Sequence, residues 1–172
     1  MKKTALSALA AILLISGVFA QSNEILDLKA RIIDLQNQGQ LGFGDFTLCT
    51  QILGYASFVP AKEAVIDKNG TLLVYYEPMN IFTVERGGIY EVYYTQDMAV
   101  LDAEGKEVIW EQKELLNMHY MAHKPVLDMY AQNSLDLQGQ LPPGKYKFRA
   151  VLHDKLRNDS VTKIFDFEVK TP

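Results

Sequence analysis

The chain has 172 residues, of which 48% are hydrophobic and 22% charged, and its 17 Lys and Arg against 21 Asp and Glu give a formal net charge of −4. These proportions are typical of a globular domain and exclude a disordered chain. The acidic balance disfavours nucleic acid as a partner, because a nucleic-acid surface needs clustered Lys and Arg. A single cysteine excludes an internal disulfide, and three histidines leave few metal sites.

Residues 1–20 have the pattern of a secretory signal peptide. Two lysines precede an apolar run over residues 5–15, and the segment ends in Val18-Phe19-Ala20. The apolar run is too short for a mature transmembrane helix, and the ending fits cleavage after Ala20. We therefore predict a periplasmic or secreted protein with no stable transmembrane anchor.

Residues 21–40 are predicted to form an amphipathic helix. Apolar residues recur at intervals of three and four, at Ile25, Leu28, Ile32 and Leu35. An isolated helix of this length is marginally stable, so we expect this stripe to dock on the following domain or to pair with another chain. Two heptads are few for a coiled coil, which favours docking.

Residues 41–172 are predicted to form one antiparallel, immunoglobulin-like β-sandwich domain. From Phe46 the hydrophobic period changes to two, and turn sequences such as Asp67-Lys-Asn-Gly70 and Arg86-Gly-Gly88 separate short apolar runs. No second helical pattern follows, which favours a mainly β fold. The predicted strands are residues 46–53, 71–77, 81–85, 89–101, 106–115, 126–137, 145–152 and 160–169.

The last two predicted strands carry a resemblance to known domains. The stretch Leu141-Pro-Pro-Gly-Lys-Tyr-Lys-Phe-Arg-Ala-Val-Leu-His-Asp154 followed by Ile164-Phe-Asp-Phe-Glu-Val169 resembles the closing hairpin of bacterial immunoglobulin-like or fibronectin-type sandwiches. The resemblance implies that Tyr146 is a tyrosine corner. Its ring is then expected in the core, with its hydroxyl group bound to the backbone of the turn.

A second resemblance is longer and brings no known activity or cofactor. The segments Leu48-Cys49, Leu73–Glu77, Asn80–Phe82 and Val100–Val108, with the Pro-Pro-Gly hairpin, are similar to an uncharacterised family of secreted proteins from planctomycete-type bacteria. The sequence contains no phosphate loop and no strong metal-ligand spacing, and we predict no cofactor.

One segment has the residue types of a copper site. His119 and His123 are four residues apart, with Met118 and Met121 beside them, and exported copper proteins use His and Met ligands. However, Pro125 disfavours a helix immediately before it. In an extended chain, residues four apart lie about 13 Å from each other. We expect a loop without a metal here and keep a copper-type metal-binding protein as the alternative function.

Tyrosines are the candidate binding residues. Strand alternation places Tyr75 and Tyr93 on the opposite face from their neighbours Tyr76 and Tyr94. Exposed tyrosine rings on a rigid sheet can stack on glycans or anchor a protein partner. The alternative is aromatic packing between strands beneath the helix.

No pattern in the chain predicts a catalytic nucleophile. The serines lack a nucleophile-elbow context, and Cys49 lies in a strand pattern typical of a small buried hydrophobic residue. From the sequence we therefore predict that the protein is not an enzyme. We interpret it as a non-enzymatic interaction or structural module of the periplasm or cell envelope, with an envelope protein or a glycan as its partner.

Overall fold

A computed structural model describes residues 23–136 and 139–171 of the chain, and the predicted signal peptide lies outside these residues. Within them, one helix, α1 (residues 23–38), precedes ten strands. The predicted mainly β chain with one N-terminal helix is therefore confirmed. The strands are β1 (Gly42–Gly54), β2 (Ser57–Pro60), β3 (Val65–Asp67), β4 (Thr71–Met79), β5 (Thr83–Arg86), β6 (Ile89–Leu101), β7 (Val108–Ala122), β8 (Ala131–Asp136), β9 (Gly144–Asp154) and β10 (Asp159–Lys170).

The strands form two sheets. The smaller sheet has the order β2-β1-β4-β8, and the larger has the order β3-β10-β9-β6-β5, with β7 on the other edge of β6. Strand β3 runs parallel to β10, so the larger sheet is mixed, and the prediction of a purely antiparallel fold is wrong at this edge. This pairing depends on contacts between distant residues, which a local pattern does not encode: the Glu168 amide bonds the Ala64 carbonyl, and the Lys68 amide bonds that of Lys170.

The hydrophobic core lies between the two sheets. Alternation along each strand turns one apolar face inward, and burial of these side chains is the main favourable contribution to folding. The central cluster draws on both sheets and includes Leu48, Leu72, Val74, Met98, Val100, Tyr146, Phe148, Ala150, Phe167 and Val169. A second cluster extends the core beyond it, with Leu41, Ile81, Val92, Tyr94 and Leu152.

The closing hairpin of β9 and β10 has the predicted tyrosine corner. Tyr146 is buried, its hydroxyl group donates a hydrogen bond to the Pro142 carbonyl at 2.7 Å, and its ring lies 5.7 Å from that of Phe167. The bond closes the Pro-Gly turn back onto the strand that follows it. The prediction for Tyr146 is confirmed.

Strand β7 differs most from the prediction. It continues to Ala122, through the segment expected to be a loop, because its backbone pairs with β6 from Tyr90↔Ala122 to Gln96↔Leu116. Conversely, the strand expected from residue 126 begins only at Ala131. Strands β2 and β3 were not predicted, since runs of four and three residues carry little periodicity.

Helix α1 docks by its C-terminal end and not by its apolar stripe. Ile33, which lies outside the stripe, is buried, whereas Ile25, Leu28, Ile32 and Leu35 are exposed. The Asn37 side chain bonds both backbone groups of Thr83 at 2.8 Å, and Gln36 donates to the Leu127 carbonyl at 3.0 Å. The prediction that the stripe docks on the domain is therefore wrong, because polar contacts near residues 36 and 37 set the orientation of the helix. None of the described helices has the length and apolar character required to cross a membrane.

Candidate functional site

A stack of aromatic rings lies on the outer face of the smaller sheet. Strand β4 turns Val74 and Tyr76 into the core and Tyr75 outward. The Tyr75 ring lies between Phe58, at a centroid distance of 4.2 Å, and Tyr130, at 5.7 Å, and both are stacked on it. Tyr55 follows Tyr130 at 6.4 Å. We call Tyr55, Phe58, Tyr75 and Tyr130 the tyrosine cluster.

The tyrosine cluster exposes different rings from the one predicted. Tyr75 has no exposed surface because its neighbours cover it, whereas Tyr55 is 47% exposed and Tyr130 39%. The prediction that Tyr75 is a surface binding residue is therefore wrong. Tyr75 instead supports the two tyrosines that reach solvent. Tyr55 and Tyr130 were missed, although the position of Tyr55 directly after Gly54, between two apolar runs, was a signal for a turn that presents a side chain.

Two tyrosines of the cluster lie beside carboxylates. The Tyr75 hydroxyl group donates to Glu77 at 2.5 Å, and Tyr55 lines the same cleft as Asp128. Burial, followed by the bond to Glu77, raises the pKa of Tyr75 to about 12. Partial desolvation, followed by the negative charge of Asp128, raises the pKa of Tyr55. Both tyrosines therefore stay protonated near neutral pH, and the carboxylates keep further lone pairs for a ligand.

A tight turn fixes the position of Tyr55. Between β1 and β2, Ala56 lies in the left-handed region at φ 52°, which is unfavourable for a residue with a Cβ. The Ala56 amide donates to the Tyr75 hydroxyl group at 2.8 Å, which holds the turn over the tyrosine cluster. Such backbone strain is common where a protein places a functional side chain.

Two open cavities flank the segment of residues 126–130. A polar cleft of about 140 Å³ lies beside Tyr55, Glu77 and Asp128, and an apolar cavity of about 290 Å³ lies beside Tyr94, Met118 and Tyr120. Asp128 and Met129 line both cavities. Neither exceeds the roughly 300 Å³ at which enclosed small-molecule pockets begin, so the geometry suits a ring or a chain end bound at the surface.

Tyr93, the other predicted binding residue, lies on the outer face of the larger sheet. Its ring stacks on His119 at 4.5 Å, and the His119 Nε2 atom lies 2.9 Å from Glu91 Oε1. The imidazole thus covers one face of Tyr93. The structure therefore places Tyr75 and Tyr93 on different sheets.

The residues of the alternative copper site are not brought together. Register places Met118 opposite the buried Tyr94 and His119 opposite Tyr93, so the two side chains lie on opposite faces of β7. Met121 is on the same face as His119, and His123 lies beyond the end of the strand. In the part of the chain that the structure describes, no group of three or more His, Cys, Asp or Glu could hold a metal ion.

Cys49 is buried, as predicted for a small core residue. Its Sγ atom donates a weak bond to the Thr47 carbonyl at 3.7 Å. Burial raises the pKa of the Cys49 thiol, and a backbone hydrogen bond from Tyr75 acts in the opposite direction. A protonated, covered thiol is a poor nucleophile.

Comparisons with known proteins include a distant structural likeness. No family model matches the chain, and no curated protein matches it significantly. A structure of a family 123 glycoside hydrolase from Clostridium perfringens, described for glycolipid glycan hydrolysis, is similar at 11% identity and a TM-score of 0.44. The match covers 63% of this chain and 22% of that chain.

This likeness overturns one prediction without assigning a function. The similar protein is an enzyme, which contradicts our prediction from the sequence that the chain is not one, and we withdraw that prediction. At 11% identity and a TM-score of 0.44, however, the likeness gives this chain neither an activity nor a substrate.

Proposed function

We propose that this protein is an exported binding module of the periplasm or cell envelope, and that its tyrosine cluster recognises a glycan. The observation that carries the proposal is the placement of two exposed tyrosine rings, Tyr55 and Tyr130, beside two carboxylates, Glu77 and Asp128. The rings offer an apolar surface to a ligand, and the neighbouring polar acceptors fix the orientation of that ligand.

A sugar ring matches this chemistry. Its C–H face is apolar and can pack on Tyr55 or Tyr130, while the hydroxyl groups at its edge can donate to Glu77 or Asp128. Asp45 adds a third negative charge near Tyr55. Like charges repel in this setting, so the site favours neutral or amino sugars over acidic glycans.

The test is a calorimetric or NMR titration of the chain with soluble neutral and amino-sugar oligosaccharides of envelope glycans. We expect Tyr55→Ala and Tyr130→Ala each to weaken binding about fivefold, since one ring contact is worth on the order of 1 kcal/mol. Tyr93→Ala is the matched control and should bind as the wild type does. Sizing the oligosaccharides after incubation would detect any cleavage.

Two results would contradict the proposal. One is unchanged affinity in both cluster variants while the wild type binds. The other is a loss of binding in Tyr93→Ala alone, which would move the site to the face that carries His119.

Export remains a prediction with its own test. The two N-terminal lysines, the length of the apolar run and the Val18-Phe19-Ala20 ending all match a cleaved signal peptide. The intact mass of the extracytoplasmic protein should therefore correspond to a chain that begins at Gln21. Retention of residues 1–20 on a membrane-bound form would contradict it.

We further propose that the two sheets form an immunoglobulin-like sandwich. The tyrosine corner at Tyr146 and the core shared by both sheets support this assignment. The parallel strand β3 departs from that family. An experimental structure would test the assignment by the connections between the two sheets.

A further inference from the structure

Helix α1 presents an apolar stripe that the domain does not cover. Ile25 is 49% exposed, Leu28 51%, Ile32 41% and Leu35 67%. The side of the helix that faces the domain contains Ile33 and Gln36. At about 100° per residue, the centre of the stripe lies roughly 120° around the helix from Ile33, whereas Gln36 borders the stripe at roughly 60° from its centre. A second helix can therefore approach the stripe from the side away from Ile33.

We propose that α1 pairs with the same helix of a second copy of this chain, as a short parallel coiled coil. The inference does not depend on the proposed glycan site. The stripe has the 3-4-3 spacing of coiled-coil core positions, with Ile25 and Ile32 at a, and Leu28 and Leu35 at d. β-Branched residues at a with leucine at d favour parallel two-stranded pairs.

The flanking charges fit the same arrangement. In this register Glu24 occupies a g position and Lys29 the following e position. In a parallel pair, g of one helix faces that e of the other, so Glu24 meets Lys29 of the second copy in both directions. The next g and e positions hold Arg31 and Gln36, which places no like charges together. Gln36 already donates to the Leu127 carbonyl of the domain, so Glu24 with Lys29 is the charge pair of the dimer.

The charge of the helix argues against a membrane as the occupant. Residues 23–38 contain three acidic residues, Glu24, Asp27 and Asp34, against two basic ones, Lys29 and Arg31. Helices that lie on membrane surfaces usually carry a Lys- and Arg-rich polar face, because bilayers are anionic. A second copy is therefore the better match.

The C-terminal end of α1 is bonded to the domain, and this fixes how the helix and its stripe are oriented relative to the domain. The side chain of Asn37 bonds Thr83 twice, and the Arg157 guanidinium donates to the carbonyls of Asn37 and Gly39. With the helix held at this end, a parallel pair gives a two-fold symmetric dimer with both domains at the same end. Two heptads make a weak contact, so the dimer should depend on concentration.

The first test is sedimentation equilibrium of the chain that begins at Gln21, over a concentration series. We expect the mass of two chains at high concentration. Leu35→Lys should weaken self-association more than about tenfold, because it places a charge at a core position. Leu53→Lys is the matched control, since Leu53 is 66% exposed against 67% for Leu35 but lies on β1, and it should dimerise normally.

The second test determines helix direction by cross-linking in a Cys49→Ala background. Equivalent d positions face each other in a parallel pair, so Leu28→Cys should form a disulfide dimer on oxidation. An antiparallel pair would instead cross-link Leu28→Cys with Ile32→Cys. Glu24→Lys should weaken the dimer, and adding Lys29→Glu should restore it.

Four results would overturn the proposal. The first is the mass of a single chain at every concentration. The second is equal weakening by Leu53→Lys. The third is cross-linking only in the mixed Leu28→Cys and Ile32→Cys sample. The fourth is co-sedimentation of the monomer with phosphatidylglycerol and phosphatidylethanolamine vesicles, abolished by Leu35→Lys, which would assign the stripe to a membrane.

Discussion

The closing hairpin of β9 and β10 and helix α1 have equally clear amphipathic patterns, yet the structure treats them differently. In the hairpin, Phe148 and Leu152 are fully buried, whereas in the helix Leu28 and Leu35 remain exposed. Periodicity determines which side chains share a face. It does not determine what lies opposite that face, and this second property separates the two regions.

The contacts of each region explain the difference. Strand β9 is paired on both edges, by β10 and β6. The ring centroid of Phe148 lies 6.3 Å from that of Phe46 on the other sheet. The helix is attached instead by polar groups near its C-terminal end, chiefly Asn37 and Gln36. Substitutions in the two regions should therefore have very different costs.

The largest effect is expected at the centre of the hairpin. Phe148→Ala should lower the free energy of unfolding by about 3 to 5 kcal/mol, because it leaves a cavity between the sheets. Urea denaturation measures this change. A loss below about 1 kcal/mol would mean that the two sheets do not enclose this ring.

An intermediate effect is expected where the two regions meet. Arg157, in the hairpin loop, donates to the carbonyls of Asn37, Gly39 and Asn80 and lies 5.2 Å from the centre of the Phe82 ring. Arg157→Ala should cost about 1.5 to 3 kcal/mol. Hydrogen exchange should show lost protection in residues 23–38.

Arg157→Lys tests whether the guanidinium geometry matters. The planar guanidinium has several N–H donors that reach three carbonyls, whereas the Lys ammonium is a single point that cannot reach all three. Arg157→Lys should therefore restore only part of the hydrogen-exchange protection of the helix. Full protection in Arg157→Ala would show that Arg157 does not anchor the helix.

A smaller effect is expected at the tyrosine corner. Tyr146→Phe removes only the hydrogen bond to Pro142 and should cost about 1 kcal/mol. The denaturation midpoint should fall with an unchanged slope. An unchanged midpoint would argue against a stabilising corner.

The smallest effect is expected on the helix stripe. Leu35→Ser should change the free energy of unfolding by less than about 0.5 kcal/mol at concentrations where the chain is monomeric, because the side chain already faces water. Thermal or urea denaturation of dilute protein measures it. A large loss would mean that the stripe packs on the domain after all.

The parts of the fold that the sequence predicted are those with long, regular patterns. Strand β6 has the predicted bounds, Ile89–Leu101, and Tyr146 has its predicted role. Strand β3 could not be predicted, because three residues carry no period and their partner is about a hundred residues away. Local patterns inform local structure, and pairing between distant segments decides the rest.

The candidate site was predicted only in its residue type. The strand pattern placed Tyr75 correctly on the outer face, but its burial depends on Phe58 and Tyr130, which arrive from a hairpin and from the segment before β8. Tyr55 and Asp128 meet only through that arrangement. The exposed rings therefore had to be found in the tertiary structure.

The parallel pairing of β3 with β10 has a consequence for the order of folding. Ile66 faces Val169 in this ladder, so β3 has no partner strand until nearly the whole domain has been synthesised. Until then the edge of β9 that β10 later covers is also open, and open edges invite pairing with other chains. A chain with this topology would benefit from a holding chaperone until β10 is available, and a truncation before residue 159 should be prone to aggregation.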